Sequence, residues 1–89
     1  MKSYLITYDL LKPGQNYDEL YEAIKKLGNW WHCLQSVWII KTDSTAIQIR
    51  DALQSYCDSN DKLLVVRLSG EGAWTGFDST CSSWLKTNL

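Results

Sequence analysis

The chain has 89 residues, with nine Lys plus Arg against ten Asp plus Glu and a net charge of −1. That length suits one domain with a modest core, and the charge balance argues against a protein that grips a phosphate backbone by a basic stripe. Cys33, Cys57 and Cys81 are odd in number and form no CxxC pair, which argues against a disulfide framework and a zinc site. No cleavable leader and no run of membrane-spanning length is visible, so a soluble protein of a reducing compartment, the cytoplasm, is expected.

Residues 3–11 (SYLITYDLL) are apolar and aromatic except for Asp9 and read as a strand running into a Pro13-Gly14 turn. Asn16 with Glu19 three residues on has the spacing of a capping box. Tyr17, Leu20, Tyr21, Ile24 and Leu27 then recur at helical spacing, opposite Asp18, Glu22, Lys25 and Lys26, with Gly28 expected as the C-terminal cap. Residues 30–33 and 36–42 are β-branched and aromatic, two strands about a turn at 34–36. Asp43 or Ser44 is expected to cap a second helix whose buried stripe is Ala46, Ile49, Leu53 and Tyr56. A polar turn at 58–61 leads into residues 62–68 (KLLVVRL), read as a buried strand. Residues 74–77 suggest a short edge strand and residues 79–89 a terminal helix. The chain is thus a single domain over 1–89, a core of 1–70 with an extension of 71–89.

The order strand, helix, strand, strand, helix, strand predicts an α+β ferredoxin-like sandwich in which both helices cover one face of a four-stranded antiparallel sheet. Strands covered on one face alternate apolar and polar. Here Val37, Ile39 and Trp38, Ile40 load both faces, as do Leu63, Val65 and Leu64, Val66, Leu68. A bare apolar sheet face marks an interface, so a homodimer packed through its sheet faces is expected. Trp38 and Val65 are assigned to that dimer face, and the carboxy-terminal segment is expected to cross the partner or cover an edge strand.

Three features carry a resemblance over residues 3–68: a first strand ending Tyr8-Asp9-Leu10, a helix closing on Gly28 before an aromatic strand pair with Ser36-Val37-Trp38, and a second helix leading into Leu63-Leu64-Val65-Val66. On these the chain resembles the CRISPR-associated protein 2 superfamily, which includes the virulence-associated protein D ribonucleases. The resemblance implies a ferredoxin-like homodimer in which the Asp ending the first strand, Asp9 here, meets its symmetry mate and helps bind a divalent metal such as Mg2+. It also implies either a nuclease for RNA or DNA or the structural centre of a larger complex. Gln35 adjoins Ser36 where the family has one residue between them, and Tyr, Glu and Lys occupy the first helix where many members carry Arg. Both changes argue against DNA as the ligand.

Asp9 is therefore the candidate catalytic and metal residue, through hard oxygen ligands that suit Mg2+. The alternative is an Asp that accepts backbone N–H bonds in the turn before Pro13. His32, the only histidine, offers a general base or ligand, or plain scaffold. Cys33 beside it points to the opposite face of a strand, against a Cys/His pair. Trp30 and Trp31 are candidate platforms for stacking nucleobases. Thr7 and Ser36 read as strand residues, and Gly70-Glu71-Gly72 as a turn without the Lys of a phosphate loop. The expected function is a nucleic-acid-processing protein, an Mg2+-dependent endoribonuclease. The rivals are a catalytically silent dimeric scaffold or partner-binding subunit, and a binding protein that sequesters a nucleotide.

Overall fold

The computed structural model describes residues 1–11 and 17–89, in the order β1 (Lys2–Asp9), α1 (Asp18–Lys26), β2 (Asn29–Leu34), β3 (Val37–Thr42), α2 (Ala46–Gln54), β4 (Lys62–Arg67) and α3 (Ser79–Asn88). The expected turn at Pro13-Gly14 and the Asn16 cap lie outside the described residues. The strands form one antiparallel sheet in the order β2-β3-β1-β4. β1 is central, with Ile6 opposite Trp38 on β3 and Val65 on β4.

Period-two alternation divides β1 between two layers. Tyr4, Ile6 and Tyr8 point toward α1 and α2, where they pack with Trp38, Ile40, Leu20, Ile24, Ile49 and Leu53. Leu20, Ile24, Ile49 and Leu53 sit at the i, i+4 spacing that puts them on one face of each helix, and all four are fully buried. Tyr56, expected to extend the α2 stripe, lies beyond the helix and is exposed, because Ser55 ends the element.

Three local expectations are corrected. Thr45, not Asp43 or Ser44, caps α2, and its hydroxyl accepts from the Gln48 amide while the Gln48 side chain accepts from the Thr45 amide. Gly28 does not close α1 through a left-handed conformation; Leu27 is the cap residue, and positive φ occurs only at Gly70 and Gly76 among the described residues. Gly28 is needed for space, because a Cβ there would collide with the Lys41 backbone oxygen of β3. Residues 74–77 are irregular rather than a strand.

The second sheet face is where the fold departs most from expectation. α3, capped by the Asp78 carboxylate on the Cys81 amide, lies on this chain's own sheet. Leu85 closes over Trp31 and Ile39, with Leu68, Trp74, Phe77, Cys81 and Trp84 packed around them. The Trp31 indole N–H donates to the Cys81 backbone oxygen (3.1 Å), and the Ser3 hydroxyl to that of Asn88 (2.6 Å). Cys33 of β2 and Cys81 of α3 are joined in a disulfide. The odd cysteine count thus conceals one bridge and one free thiol, Cys57, and the argument from cysteine number to a reducing compartment loses its premise. β4 is an edge strand rather than a strand buried on both faces: Leu64 is 54 % and Val66 39 % exposed. No helix among the described residues is long and apolar enough to cross a membrane.

Candidate functional site

Asp9 ends β1 on the face that α3 partly covers, two positions beyond Thr7 and four beyond Leu5 on the same side of the strand. Its cross-strand partner is Lys62, the first residue of β4, and Thr7 faces Leu64. These side chains line an open depression of about 220 Å3. α3 packs at the β2 side of the sheet, so the strip running from Val66 through Leu64 to Asp9 stays uncovered.

Among the described residues the Asp9 carboxylate forms no ion pair and accepts no hydrogen bond. The turn-capping task that offered the alternative account of Asp9 falls instead to Asp61. Its Oδ1 accepts from the Leu11 amide (2.9 Å), both its carboxylate oxygens from the Tyr17 hydroxyl (3.1 and 3.0 Å), and its Oδ2 from the Asp58 amide (2.8 Å). Asp61 thereby ties the end of β1 and the start of α1 to the turn before β4. The sequence marked 58–61 only as polar, since nothing local shows which strand end such a turn will face.

The aromatic candidates separate clearly. Trp31 is 4 % exposed, with Phe77 edge-on at 5.2 Å, and has no free face for a base. The stacking role expected of it is therefore corrected, because α3 buries it. Trp30 is 41 % exposed; Trp38 packs against its ring at 5.5 Å and the Lys25 ammonium lies 5.2 Å from its centroid. Trp38 is 2 % exposed under the helices, and Val65 packs against the same cluster, so both face away from the surface a sheet-to-sheet dimer would use. The assignment of both residues to the dimer face is corrected in that respect. Trp74 packs in the α3 layer.

His32 stacks flat on Trp38, centroids 3.8 Å apart and planes 5° from parallel, and its Nδ1 meets the Val37 carbonyl at 2.9 Å. A carbonyl only accepts, so Nδ1 carries the proton and Nε2 is left as the acceptor of the neutral ring. Cys33 points to the other face, as expected for its neighbour. Beside His32 the Trp38 indole donates to the Tyr8 hydroxyl (3.0 Å), and Tyr21 lies against both rings. Burial pushes the Tyr8 phenol above its ordinary 10.0; the Trp38 donor opposes this and Tyr21 adds to it.

Asp9 and His32 lie on opposite faces of the sheet, and among the described residues no three His, Cys, Asp or Glu side chains converge as a metal cluster. Asp9 thus stands as one carboxylate per chain, with Lys62 as the charged neighbour that sequence reasoning did not single out. Only the β1–β4 register reveals that pairing. A comparison with models of known protein families finds no match to this chain.

Proposed function

We propose that the chain is a ferredoxin-like, CRISPR-associated-protein-2-like nucleic-acid-processing protein that cleaves RNA as a homodimer, with the two Asp9 carboxylates sharing Mg2+ at the dimer axis. The observation that carries this reading is the position of Asp9: exposed, unpaired, and at the end of the apolar strip that α3 leaves uncovered. Two copies meeting along Leu64 and Val66 would bury that strip and bring the ends of both β1 strands toward one axis. A carboxylate with no competing partner suits a hard cation, and one oxygen donor per chain makes the site depend on pairing. Mg2+ held there would supply an acidified water and neutralise charge on a phosphodiester. Asp9 holds the cation, and the Lys62 ammonium across the strand pair attracts the phosphate.

The test is cleavage of a labelled single-stranded RNA by wild type and Asp9→Asn, with and without Mg2+. Cleavage that needs Mg2+ and falls at least about a hundredfold in Asp9→Asn is expected, since loss of the charge removes the shared ligand from both chains. The Asp9 side chain makes no ion pair or hydrogen bond among the described residues, so its replacement is expected to change stability by less than about 0.5 kcal/mol. Cleavage unaffected by Asp9→Asn, or none in any divalent metal, removes the nuclease reading and favours the silent dimeric scaffold.

A further inference from the structure

The edges of a sheet present unpaired backbone groups, and native sheets guard them with charge, Pro, bulges or a covering element. One edge of this sheet is guarded. β2 carries a register shift between Trp31 and Leu34, and α3 is bonded to it through Cys33 and Cys81. The other edge, β4, is not. Its pairing with β1 runs unbroken from Lys62 to Arg67, it contains no Pro, and no charge interrupts Leu63-Leu64-Val65-Val66.

The phase of the β1–β4 ladder shows which backbone groups are free. The Leu68 amide donates to the Ser3 carbonyl (2.9 Å), one step beyond the Tyr4–Arg67 pair, so Ser3 and Leu68 are hydrogen-bonded opposites. In an antiparallel ladder such pairs alternate with non-bonded ones. Leu5 with Val66, Thr7 with Leu64 and Asp9 with Lys62 therefore share the β1–β4 bonds. The amides and carbonyls of Leu63, Val65 and Arg67 point outward, and they find no backbone partner among the described residues. Such a row is what an added strand pairs with.

Side chains on both sides of the edge suit an extended peptide. On the helix side, Leu63 and Val65 line with Ala46, Ile47 and Arg50 of α2 an open depression of about 260 Å3 that reaches round to Leu64, and Ile47 is exposed there. On the α3 side, Leu64 and Val66 are exposed. Both ends of the strand are cationic. Lys62 lies on the α3 side and Arg67 on the helix side, opposite Asp9 and Tyr4 respectively. Both are exposed, and neither has an ion pair or side-chain hydrogen bond among the described residues. A second copy paired antiparallel at this edge would set its Arg67 beside the Lys62 end of its mate. Charge therefore favours an acidic partner over self-pairing.

We propose that the β4 edge takes up an extended peptide of a partner protein as a fifth strand, apolar and β-branched at its centre, with carboxylates opposite Arg67 and Lys62. Those two cations are five residues apart on opposite faces, so the carboxylates must be five residues apart too. Antiparallel pairing, the more stable per residue, places the first carboxylate against Arg67. The site uses the edge of β4 and its helix side rather than the Asp9 carboxylate, so it stands or falls independently of RNA cleavage, and Asp9→Asn leaves it intact.

The experiment is titration of the isotope-labelled full chain with a short capped peptide of core Glu-Val-Val-Thr-Val-Glu, followed by amide shifts and hydrogen exchange. Saturable binding is expected, in which the Leu63, Val65 and Arg67 amides gain protection while those of Leu64 and Val66, already bonded to β1, change little. Contact through side chains alone does not produce that alternation. Arg67→Glu, at an exposed position, is expected to keep a dispersed amide spectrum and to weaken binding by about fivefold or more. A peptide with Lys in place of the first Glu recovers the loss. Val65→Pro removes an outward amide without touching a β1 bond and is expected to weaken binding about tenfold; should it fail to fold, the charge exchange at Arg67 still decides. Shifts that never saturate, protection spread over both sets of amides, or equal binding of the Glu and Lys peptides by wild type overturn the proposal. Concentration-dependent protection of the same three amides in the chain alone gives the edge to a second copy and overturns it likewise.

Discussion

Tyr8 couples burial to ionisation more directly than any other residue described. Its folded-state pKa is raised above 10.0, chiefly by burial, so the folded chain holds this proton more tightly than the unfolded chain does. The resulting stabilisation is complete below the unfolded pKa near 10 and is lost as pH rises through the higher folded value. Cys57 acts with the same sign above 9.0, through burial first and then the Asp61 and Asp58 charges. Unfolding free energy is therefore expected to fall above about pH 9, and a tyrosinate absorbance titration should show one phenol resisting ionisation beyond the others. Tyr8→Phe should abolish that late phase and leave the Trp38 indole N–H buried without its acceptor, costing about 1–3 kcal/mol in denaturant unfolding.

Asp61 makes a complementary case among residues. Replacing it with Ala removes an acceptor from Leu11, Tyr17 and Asp58 together. A loss of about 2–4 kcal/mol in unfolding free energy is expected, because charge-assisted bonds at two chain segments fail at once. Asp9→Asn should cost almost nothing by the same measurement. The two carboxylates look alike in sequence, one after a strand and one before a strand. Only the meeting of β1 with β4 shows which is structural and which is free.

Among the elements, α1 and α2 were legible because their signals are local: four apolar positions at i, i+4 spacing bury fully. Cap residues were less legible, since Thr45, Ser44 and Asp43 all have capping side chains and the choice rests on a one-residue shift in where helix geometry begins. β4 was misread as doubly buried because a strand's position in the sheet is set by pairing, and Leu64 and Val66 carry no mark of an edge. α3 was expected as a helix that crosses a partner or covers an edge strand, and it takes the second course, on the edge strand β2 of its own chain. Its attachment to β2 through Cys33 and Cys81 spans 48 residues of chain, a closure worth about 4 kcal/mol by loop entropy. Reduction, or Cys33→Ser, is expected to lower unfolding free energy by an amount of that order. Alkylation of the unfolded, unreduced chain should modify Cys57 alone; three modified cysteines would show that the bridge is absent.

For the whole molecule, the two-faced strands have a partly internal explanation. α3 with Trp74 and Phe77 supplies apolar cover that a second subunit was expected to provide, and the remainder is the narrower strip of Leu64 and Val66. The proposed dimer must form along that strip. Sedimentation at micromolar concentration should give twice the 10.3 kDa of one chain, and Leu64→Glu should restore the single-chain mass while leaving the helical far-ultraviolet signal intact. A single-chain mass for wild type would refute the dimer and leave Asp9 unpaired.

The sequence by itself determined the local periodicities: which residues form helices, where strands begin, and the apolar surplus on both faces of the sheet. It also isolated Asp9 as the one charge in an apolar strand. Tertiary structure decided what those periodicities face. It set α3 rather than another chain over Trp31, joined Cys33 to Cys81 and placed Lys62 opposite Asp9. Periodicity records the face on which a side chain lies, a property of neighbours along the chain. Partners across a sheet depend on register and on where a distant helix returns, and neither is written within any short stretch of residues.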